Sequence, residues 1–155
     1  MTSMPAAERI GSYLKRAEQS LNTAKNAALK PAGVTVPQYA ALLYLAENPG
    51  ISAAALARLC GVTPPSMNTV LGNLLDRGLI ERTPHPWHKN VLETTLTDKG
   101  GALVRDADER AIRVERALAE EFTAAERDTL LELLTRCADR LDSIRPAPAA
   151  RPRDE

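Results

Sequence analysis

The stretch from Ser52 to Arg77 constrains the fold most strongly, because only three residues separate two short helical patterns within it. Ser52 is a favoured N-cap for a helix predicted over residues 53–59, and Thr63-Pro64 is a favoured start for a second helix that reaches about Arg77. The connection Cys60-Gly61-Val62 is a tight turn that contains glycine. A short helix, such a turn and a second helix together predict a helix-turn-helix.

A β-hairpin is predicted directly after the second helix. Gly78 stands where the end of a helix favours a left-handed residue. Two β-like runs follow at residues 79–83 and 91–96, and a polar, proline-rich connection over residues 84–90 joins them. A hairpin in this place makes the helix-turn-helix a winged one.

Longer helical patterns flank this unit on both sides. Apolar residues recur at three- and four-residue spacing from about Ala6 to Leu29, which predicts a long first helix. Thr35 and Gln38 have the spacing of a capping box and open the next helix, which stops at Asn48-Pro49-Gly50.

Two more helices are predicted after the hairpin. Thr97 caps one that runs to about Glu121, and Thr123 with Glu126 forms a second capping box for a last helix that ends near Ile144. The fold class is therefore mainly α with a small β-wing, a winged helix-turn-helix domain between long helices. Both late helices carry apolar stripes; that of the last comprises Leu130, Leu134, Cys137, Leu141 and Ile144.

The charge balance excludes some classes of protein. Lys plus Arg equal Asp plus Glu at 20 each, so the formal net charge is +0, unlike that of a highly basic chromatin binder or a membrane-surface protein. A local basic surface remains compatible with this balance. No run of about 18 apolar residues occurs and Met1 to Arg16 lacks an apolar signal core, so we expect a cytoplasmic protein without a membrane partner.

Motifs for catalysis are missing from the sequence. It has no Gly-rich phosphate loop, no nucleophile elbow and no metal-ligand pair at a recognised spacing. We therefore expect neither an enzyme nor a bound cofactor or metal.

The second helix of a helix-turn-helix enters the major groove, and its exposed N-terminal residues reach base edges. Asparagine can pair with adenine through two hydrogen bonds, and serine or threonine can contact a base or a phosphate. Thr63 and Pro64 set the entry of this helix, whose N-terminal amides are expected to meet a phosphate. The candidate base-contacting residues are Pro65, Ser66, Asn68, Thr69 and Asn73.

Across about residues 8–144 the chain resembles the MarR family, the multiple antibiotic resistance regulators. The motifs that carry the resemblance appear in order as Leu56-Ala57, Gly61-Val62-Thr63, Leu74, Arg77-Gly78-Leu79-Ile80-Glu81-Arg82 and Leu96-Thr97-Asp98-Lys99-Gly100. The resemblance implies a homodimer on a palindromic operator in double-stranded DNA, in most members a repressor. In many members a small aromatic effector releases the DNA, and in some thiol oxidation or a metal does.

The resemblance also suggests a division of the chain. Residues 1–34 are expected to form an N-terminal dimerisation helix, residues 35–97 the DNA-binding domain and residues 98–145 two C-terminal dimerisation helices. The long striped helices agree with this division, because the small winged core alone leaves their apolar faces uncovered. Residues 146–155 are rich in Pro, Ala and Arg and are expected to be disordered.

The wing departs from the family pattern. Many members carry Asp-x-Arg at the tip, with the Arg in the minor groove, whereas this chain has His88, Lys89 and Asn90 there. Lys89 and protonated His88 remain candidates for phosphate contacts, and Arg82 is expected to brace the wing or touch the DNA backbone.

The local charge is modest as well. The stretch from Ser52 to Leu92 contains four basic residues (Arg58, Arg77, Arg82, Lys89) and two acidic ones (Asp76, Glu81), so its formal net charge is +2. We therefore predict weak or salt-sensitive DNA binding, or binding that needs both protomers. The alternative function is a ligand-binding or protein-interaction module on a winged-helix scaffold whose DNA contact is weak or lost.

Three tyrosines are candidates for an effector site. Tyr13, Tyr39 and Tyr44 lie on the first two helices, next to which the ligand pocket of relatives lies. A tyrosine offers an apolar ring with one polar tip, but it is equally an ordinary core or interface residue. Lys15 or Arg16 is a candidate partner for a ligand carboxylate, although charged side chains on a helix are usually solvated.

Other side chains have a functional and a structural interpretation. Cys60 and Cys137 are predicted to be core residues rather than redox sensors. His85 and His88 are predicted to lie at an exposed wing tip rather than to bind zinc. Trp87 is predicted to fold back on the wing or a neighbouring helix rather than to insert into DNA.

Overall fold

A computed structural model describes residues 4–84, 87 and 92–144. Within these residues the fold comprises helices and one two-stranded antiparallel sheet, which confirms the predicted class. The elements in chain order are α1 (Ile10–Leu29), α2 (Val36–Glu47), α3 (Ala53–Leu59), α4 (Pro64–Asp76), β1 (Ile80–Pro84), β2 (Leu92–Leu96), α5 (Asp98–Glu120) and α6 (Ala124–Ser143).

Side-chain caps start four of the helices where the sequence predicts them. The Thr35 hydroxyl accepts from the backbone nitrogen of Gln38 at 3.4 Å, and the Gln38 Oε1 accepts from the backbone nitrogen of Thr35 at 3.0 Å. Thr123 and Glu126 form the equivalent box at the start of α6. Single caps at Ser52 and Thr63 begin α3 and α4. Each cap satisfies an amide that has no partner within its helix.

Two predicted boundaries are wrong by a few residues. The first helix begins at Ile10 instead of Ala6, because Ala6–Glu8 forms a 3-10 turn and Arg9 has an extended backbone with φ −84° and ψ 111°. β1 covers Ile80–Pro84 rather than residues 79–83. Leu79 lies between α4 and β1, and its amide donates back to the carbonyl of Leu74 in α4 at 2.9 Å.

The helix-turn-helix is held together by the inner face of α4. Gly61 turns the chain at a φ of 64°, and the Val62 amide donates to the carbonyl of Ala57 at 3.0 Å. The side chains that pack α4 against α2 and α3 are aliphatic, as the low aromatic content requires. They include Leu42, Leu45, Leu56, Met67, Leu71 and Leu74, all fully buried.

The wing is a short ladder that begins directly after α4. Ile80 pairs with Leu96 and Pro84 with Leu92 in an antiparallel register. Gly78 connects α4 to this ladder at a φ of 66°, which confirms the left-handed position predicted for it. The tip lies largely outside the described residues.

The described chain divides into two compact units at the bond between Glu115 and Arg116. The first unit holds the winged helix-turn-helix, α1 and most of α5. In the second unit α6 has no buried residue. The large exposed apolar side chains of α6 are Leu130, Leu131, Leu133, Leu134 and Leu141, and its C-cap residue Ile144 is exposed as well. None of the described helices is long and apolar enough to cross a lipid bilayer.

The start of α5 is locked to the end of α4 through Thr97. Its amide donates to the carbonyl of Leu79 at 3.1 Å, and its hydroxyl donates to the carbonyl of Gly78 at 2.8 Å. The same hydroxyl accepts from the amide of Gly100 at 3.1 Å, as expected of an N-cap. This junction draws Gly100 so close to Leu79 that a β-carbon on Gly100 lies 1.9 Å from the Leu79 carbonyl oxygen.

We expect Gly100→Ala to destabilise the protein by at least about 2 kcal/mol, because backbone must move to admit the methyl group. Gly101→Ala is the matched control. A β-carbon there meets only the end of the Arg105 side chain at 3.6 Å, so its effect is neutral or stabilising by up to about 1 kcal/mol. Urea unfolding of both variants measures the difference, and equal stabilities contradict the close contact.

Candidate nucleic-acid interface

The two faces of α4 have opposite character. Met67, Leu71 and Leu74 are buried, whereas the predicted base-contacting side chains on the first turns are exposed. These exposed residues are Pro65, Ser66, Asn68 and Thr69, and Asn73 follows one turn later. The structure therefore brings the predicted residues of this helix to one solvent-facing surface, here called the α4 outer face.

Local hydrogen bonds orient the hydroxyl groups on the α4 outer face. The hydroxyls of Thr63 and Ser66 lie 2.8 Å apart and share a hydrogen bond. The Thr69 hydroxyl donates to the carbonyl of Pro65 at 3.2 Å, which leaves its oxygen as an acceptor. The Asn68 side chain has no hydrogen bond to any of the described residues, so both groups of its side-chain amide are available to a ligand.

The start of α4 lacks the amides that were expected to hold a phosphate. Pro64 and Pro65 have no N–H group, and the Ser66 amide is taken by the Thr63 hydroxyl at 3.3 Å. The Met67 amide donates to the carbonyl of Thr63 at 2.9 Å. The expectation of a phosphate at these amides is therefore wrong, and the two prolines visible in the sequence are the reason.

Asn73 accepts a hydrogen bond from Gln38, which the sequence predicts only as part of a helix cap. The Gln38 Nε2 in the first turn of α2 donates to the Asn73 Oδ1 at 2.9 Å. This contact ties α2 to the recognition helix α4. The capping-box spacing identified Gln38, but it gave no sign of a second partner 35 residues away.

The basic residues near the α4 outer face are few and dispersed. Arg58 and Arg82 are exposed and Arg77 is half-buried. Arg82 lies on β1, paired with Thr94 in the ladder. The Lys99 Nζ donates to the carbonyl of Arg77 at 2.8 Å, which adds a cation at the end of α4 that the predicted set missed.

The predictions for the wing tip are mostly outside the described residues. This applies to His85, His88, Lys89 and Asn90. Trp87 is described and is 85% exposed, so it is not buried against the wing or a helix, contrary to the prediction.

The three candidate ligand-binding tyrosines have separate environments. Tyr39 is buried, and its hydroxyl donates to the Asp108 Oδ1 on α5 at 2.6 Å. Tyr13 is 54% exposed; its hydroxyl donates to the carbonyl of Ala7 at 3.1 Å, and the Arg16 guanidinium lies 5.6 Å from its ring centre. Tyr44 is half-buried against the core. Lys15 and Arg16 are both exposed.

The link between α2 and α5 was not predicted. Burial and the hydrogen bond to Asp108 raise the pKa of Tyr39 well above its ordinary value of 10.0. The neutral phenol is therefore the form that the folded protein holds. A second link joins Lys25 on α1 to Glu115 on α5 as an ion pair.

A 350 Å³ groove lies where α2, β2 and α5 meet. Its lining is mainly apolar and includes Leu45, Pro49, Leu96 and Val104, with Arg105 at one side. None of the three candidate tyrosines lines it.

The cysteines are half-buried rather than core residues. Cys60 packs against the core of the first unit, and burial raises the pKa of its thiol, which disfavours the reactive thiolate. Cys137 lies on α6, where no residue is buried, so a core position within one protomer is wrong for it. Among the residues that the structure describes, no three His, Cys, Asp or Glu side chains form a metal-binding group.

A short helix, a glycine turn, an outward-facing second helix and a hairpin define the chain as a winged helix-turn-helix protein. The family model described as MarR family matches residues 32–89. The HTH-type transcriptional repressor Rv2887 of Mycobacterium tuberculosis is 40% identical over 99 residues, which cover 64% of this chain and 71% of that repressor. The chain belongs to the MarR family, as its motifs predicted.

Solved structures agree with this assignment. The crystal structure of Rv2887 in complex with p-aminosalicylic acid has a TM-score of 0.68 and 33% identity, covering 84% of this chain and 98% of that one. The structure of the transcriptional repressor CouR bound to a 23-mer DNA duplex has a TM-score of 0.77 and 31% identity. The match covers 88% of this chain and 99% of that one.

The Tyr39–Asp108 hydrogen bond predicts a pH-dependent stability. We expect Tyr39→Phe to lower the free energy of unfolding at pH 7 by about 1–2 kcal/mol. A tyrosine whose pKa is raised in the folded state stabilises below its unfolded pKa, and this stability is lost as the pH rises. The difference in the free energy of unfolding between wild type and Tyr39→Phe should therefore shrink above pH 10, the ordinary pKa of tyrosine.

Denaturant unfolding between pH 7 and pH 11 measures this difference. Tyr13→Phe is the control, because its hydroxyl bonds only to the exposed Ala7 carbonyl, and it should follow wild type throughout. A constant gap between wild type and Tyr39→Phe across this range would contradict the raised pKa.

Proposed function

We propose that this protein is a dimeric MarR-type transcription regulator that binds a palindromic operator and represses until a small aromatic effector releases it. The observation that carries the proposal is the α4 outer face, where short polar side chains stand over a fully buried inner face. A recognition helix needs this arrangement, because the buried face fixes the helix while the outer face enters the groove. The DNA-bound state of CouR supports the proposal.

Base contacts are assigned to the first turns of α4. Asn68 has both amide groups available and is the residue suited to pair with adenine through two hydrogen bonds. Ser66 and Thr69 are suited to shorter contacts with a base or a phosphate. Thr63 orients this turn through its shared hydrogen bond with Ser66, and Pro65 offers an apolar contact.

Phosphate contacts are assigned to the wing and to the partner protomer. Arg82 is exposed on β1, and Lys89, with His88 and Asn90, is proposed to meet the backbone from the wing tip. Because the start of α4 offers no free N–H group at its two prolines, a single protomer has few phosphate ligands. Binding should therefore depend on both protomers and fall with salt.

The effector is proposed to be a small aromatic molecule, as the complex of Rv2887 with p-aminosalicylic acid suggests. Tyr39 and Tyr44 on α2 and Tyr13 on α1 remain the proposed contacts. The Tyr39 hydroxyl already donates to Asp108, so this residue would offer its ring rather than its polar tip.

The proposed role as a transcription regulator needs no catalysis. We propose that the protein acts in the cytoplasm, where its operator is.

Asn68→Ala should weaken binding to the operator by about tenfold and reduce the preference for it over a scrambled duplex, since one bidentate base contact is lost. Fluorescence anisotropy with the DNA upstream of the protein's own gene, at two salt concentrations, measures both effects. Asn22→Ala is the control, because the Asn22 side chain bonds to Glu18 on its own helix α1, and it should bind like wild type.

Equal and feeble binding of wild type to the upstream and scrambled duplexes, with no salt dependence, contradicts the proposal. A selection of bound fragments from the whole genome then separates a distant operator from the ligand-binding or protein-interaction module that is the alternative function.

The exposed apolar face of α6 is proposed to form part of the dimer interface. Leu134→Glu should raise the dimer dissociation constant by at least about tenfold, because a charge is buried without a partner. Thr135→Glu is the control, since the Thr135 hydroxyl bonds to the Leu131 carbonyl of its own helix and the residue lies outside the leucine stripe. Analytical ultracentrifugation compares the two, and an unchanged dimer in Leu134→Glu excludes this face.

A further inference from the structure

Gln38 makes two hydrogen bonds with opposite ends of one amide group. Its Oε1 accepts from the backbone nitrogen of Thr35 at 3.0 Å, and its Nε2 donates to the Asn73 Oδ1 at 2.9 Å. The first bond closes the capping box of α2. The second reaches the recognition helix.

The backbone of Thr35 determines the orientation of both side-chain amides. A backbone N–H can only donate, so the Gln38 atom that faces it must be the oxygen. The other end of the Gln38 amide is then NH₂, which also only donates. The Asn73 atom that faces this NH₂ must in turn be the carbonyl oxygen.

The remaining end of Asn73 is its NH₂ group. Asn73 is exposed and lies four residues after Thr69, on the same side of α4. Its carbonyl is turned toward α2, whereas a bidentate contact with adenine requires both ends of the amide to face the base. Asn68, which has no such partner among the described residues, keeps both ends available.

We infer that Gln38 is a positioning residue that makes Asn73 a hydrogen-bond donor toward DNA. This inference rests on the proposed function. The group that Asn73 recognises is an acceptor, either a phosphate oxygen or an acceptor on a base edge such as guanine N7 or O6 or thymine O4. The two asparagines of α4 thus have different chemistry, set by whether α2 holds one end of the amide.

Gln38→Glu reverses this polarity without replacing any residue of the α4 outer face. The glutamate still accepts from the Thr35 nitrogen, as in an ordinary capping box. Its second oxygen faces Asn73, which must turn its NH₂ inward and its carbonyl toward the DNA. We expect operator affinity to fall about five- to tenfold, the effect of one lost hydrogen bond with some charge repulsion.

A double-mutant cycle separates the orientation of Asn73 from the added charge. Asn73→Ala alone should lower affinity about fivefold, and Gln38→Glu in the Asn73→Ala background should lower it by no more than about twofold. Anisotropy with the operator duplex supplies the four dissociation constants. Equal effects of Gln38→Glu in both backgrounds overturn the inference, as does an Asn73→Ala variant that binds like wild type.

The free protein provides a readout that needs no DNA. In wild type the Asn73 side-chain NH₂ protons should exchange rapidly with water, and in Gln38→Glu they should shift and exchange more slowly because they donate to the glutamate. NMR of the side-chain amides measures this, and thermal unfolding should show equal stability. Unchanged Asn73 signals overturn the polarity argument.

The same titrations identify the acceptor. A phosphate contact predicts that Asn73→Ala weakens binding to operator and scrambled duplex by the same factor, whereas a base contact predicts a loss on the operator alone. If wild type shows no operator preference and Asn68→Ala has no effect, the proposed function fails. If both behave as proposed but the cycle shows no coupling, only the role of Gln38 fails.

Discussion

The buried face of α4 is the contact on which the rest of the site depends. Met67, Leu71 and Leu74 are fully buried on a helix that contacts α2 and α3, so α4 can neither rotate nor slide without opening a cavity. Each such cavity costs roughly 2–5 kcal/mol. Because the inner face is fixed, the outer face is fixed too, and the exposed polar residues point in one direction in every molecule.

α4 also determines where the hairpin and α5 begin. The Leu79 amide bonds back into the last turn of α4, and the Leu79 carbonyl receives the amide of Thr97. The contact of Gly100 with this same carbonyl leaves no room for a side chain. A short run of backbone around Leu79 therefore connects the recognition helix, the wing and α5. A displacement of α5 would accordingly move the end of α4 as well.

Structural features that depend on residues close together in the sequence could be predicted. Caps at Thr35, Ser52, Thr63 and Thr123 could be predicted because each lies within three residues of its partner. The hydrogen bond from Tyr39 to Asp108 spans 69 residues, and many acidic residues on the late helices look alike as candidates. The same limit applies to Gln38 and Asn73. The missing amides at Pro64-Pro65, by contrast, are visible in the sequence, because proline has no N–H group to offer a phosphate.

The proline pair at the start of α4 has a consequence for how the protein searches the genome. Affinity for random DNA comes almost wholly from sequence-independent phosphate contacts, and chromosomal DNA offers on the order of 10⁶–10⁹ competing sites. A recognition helix that begins with Pro64 and Pro65 offers no backbone N–H group at these two positions for such contacts, which lowers its share of that background affinity. A smaller share of the molecules is then retained on the bulk of the chromosome, and fewer copies per cell suffice to keep an operator occupied.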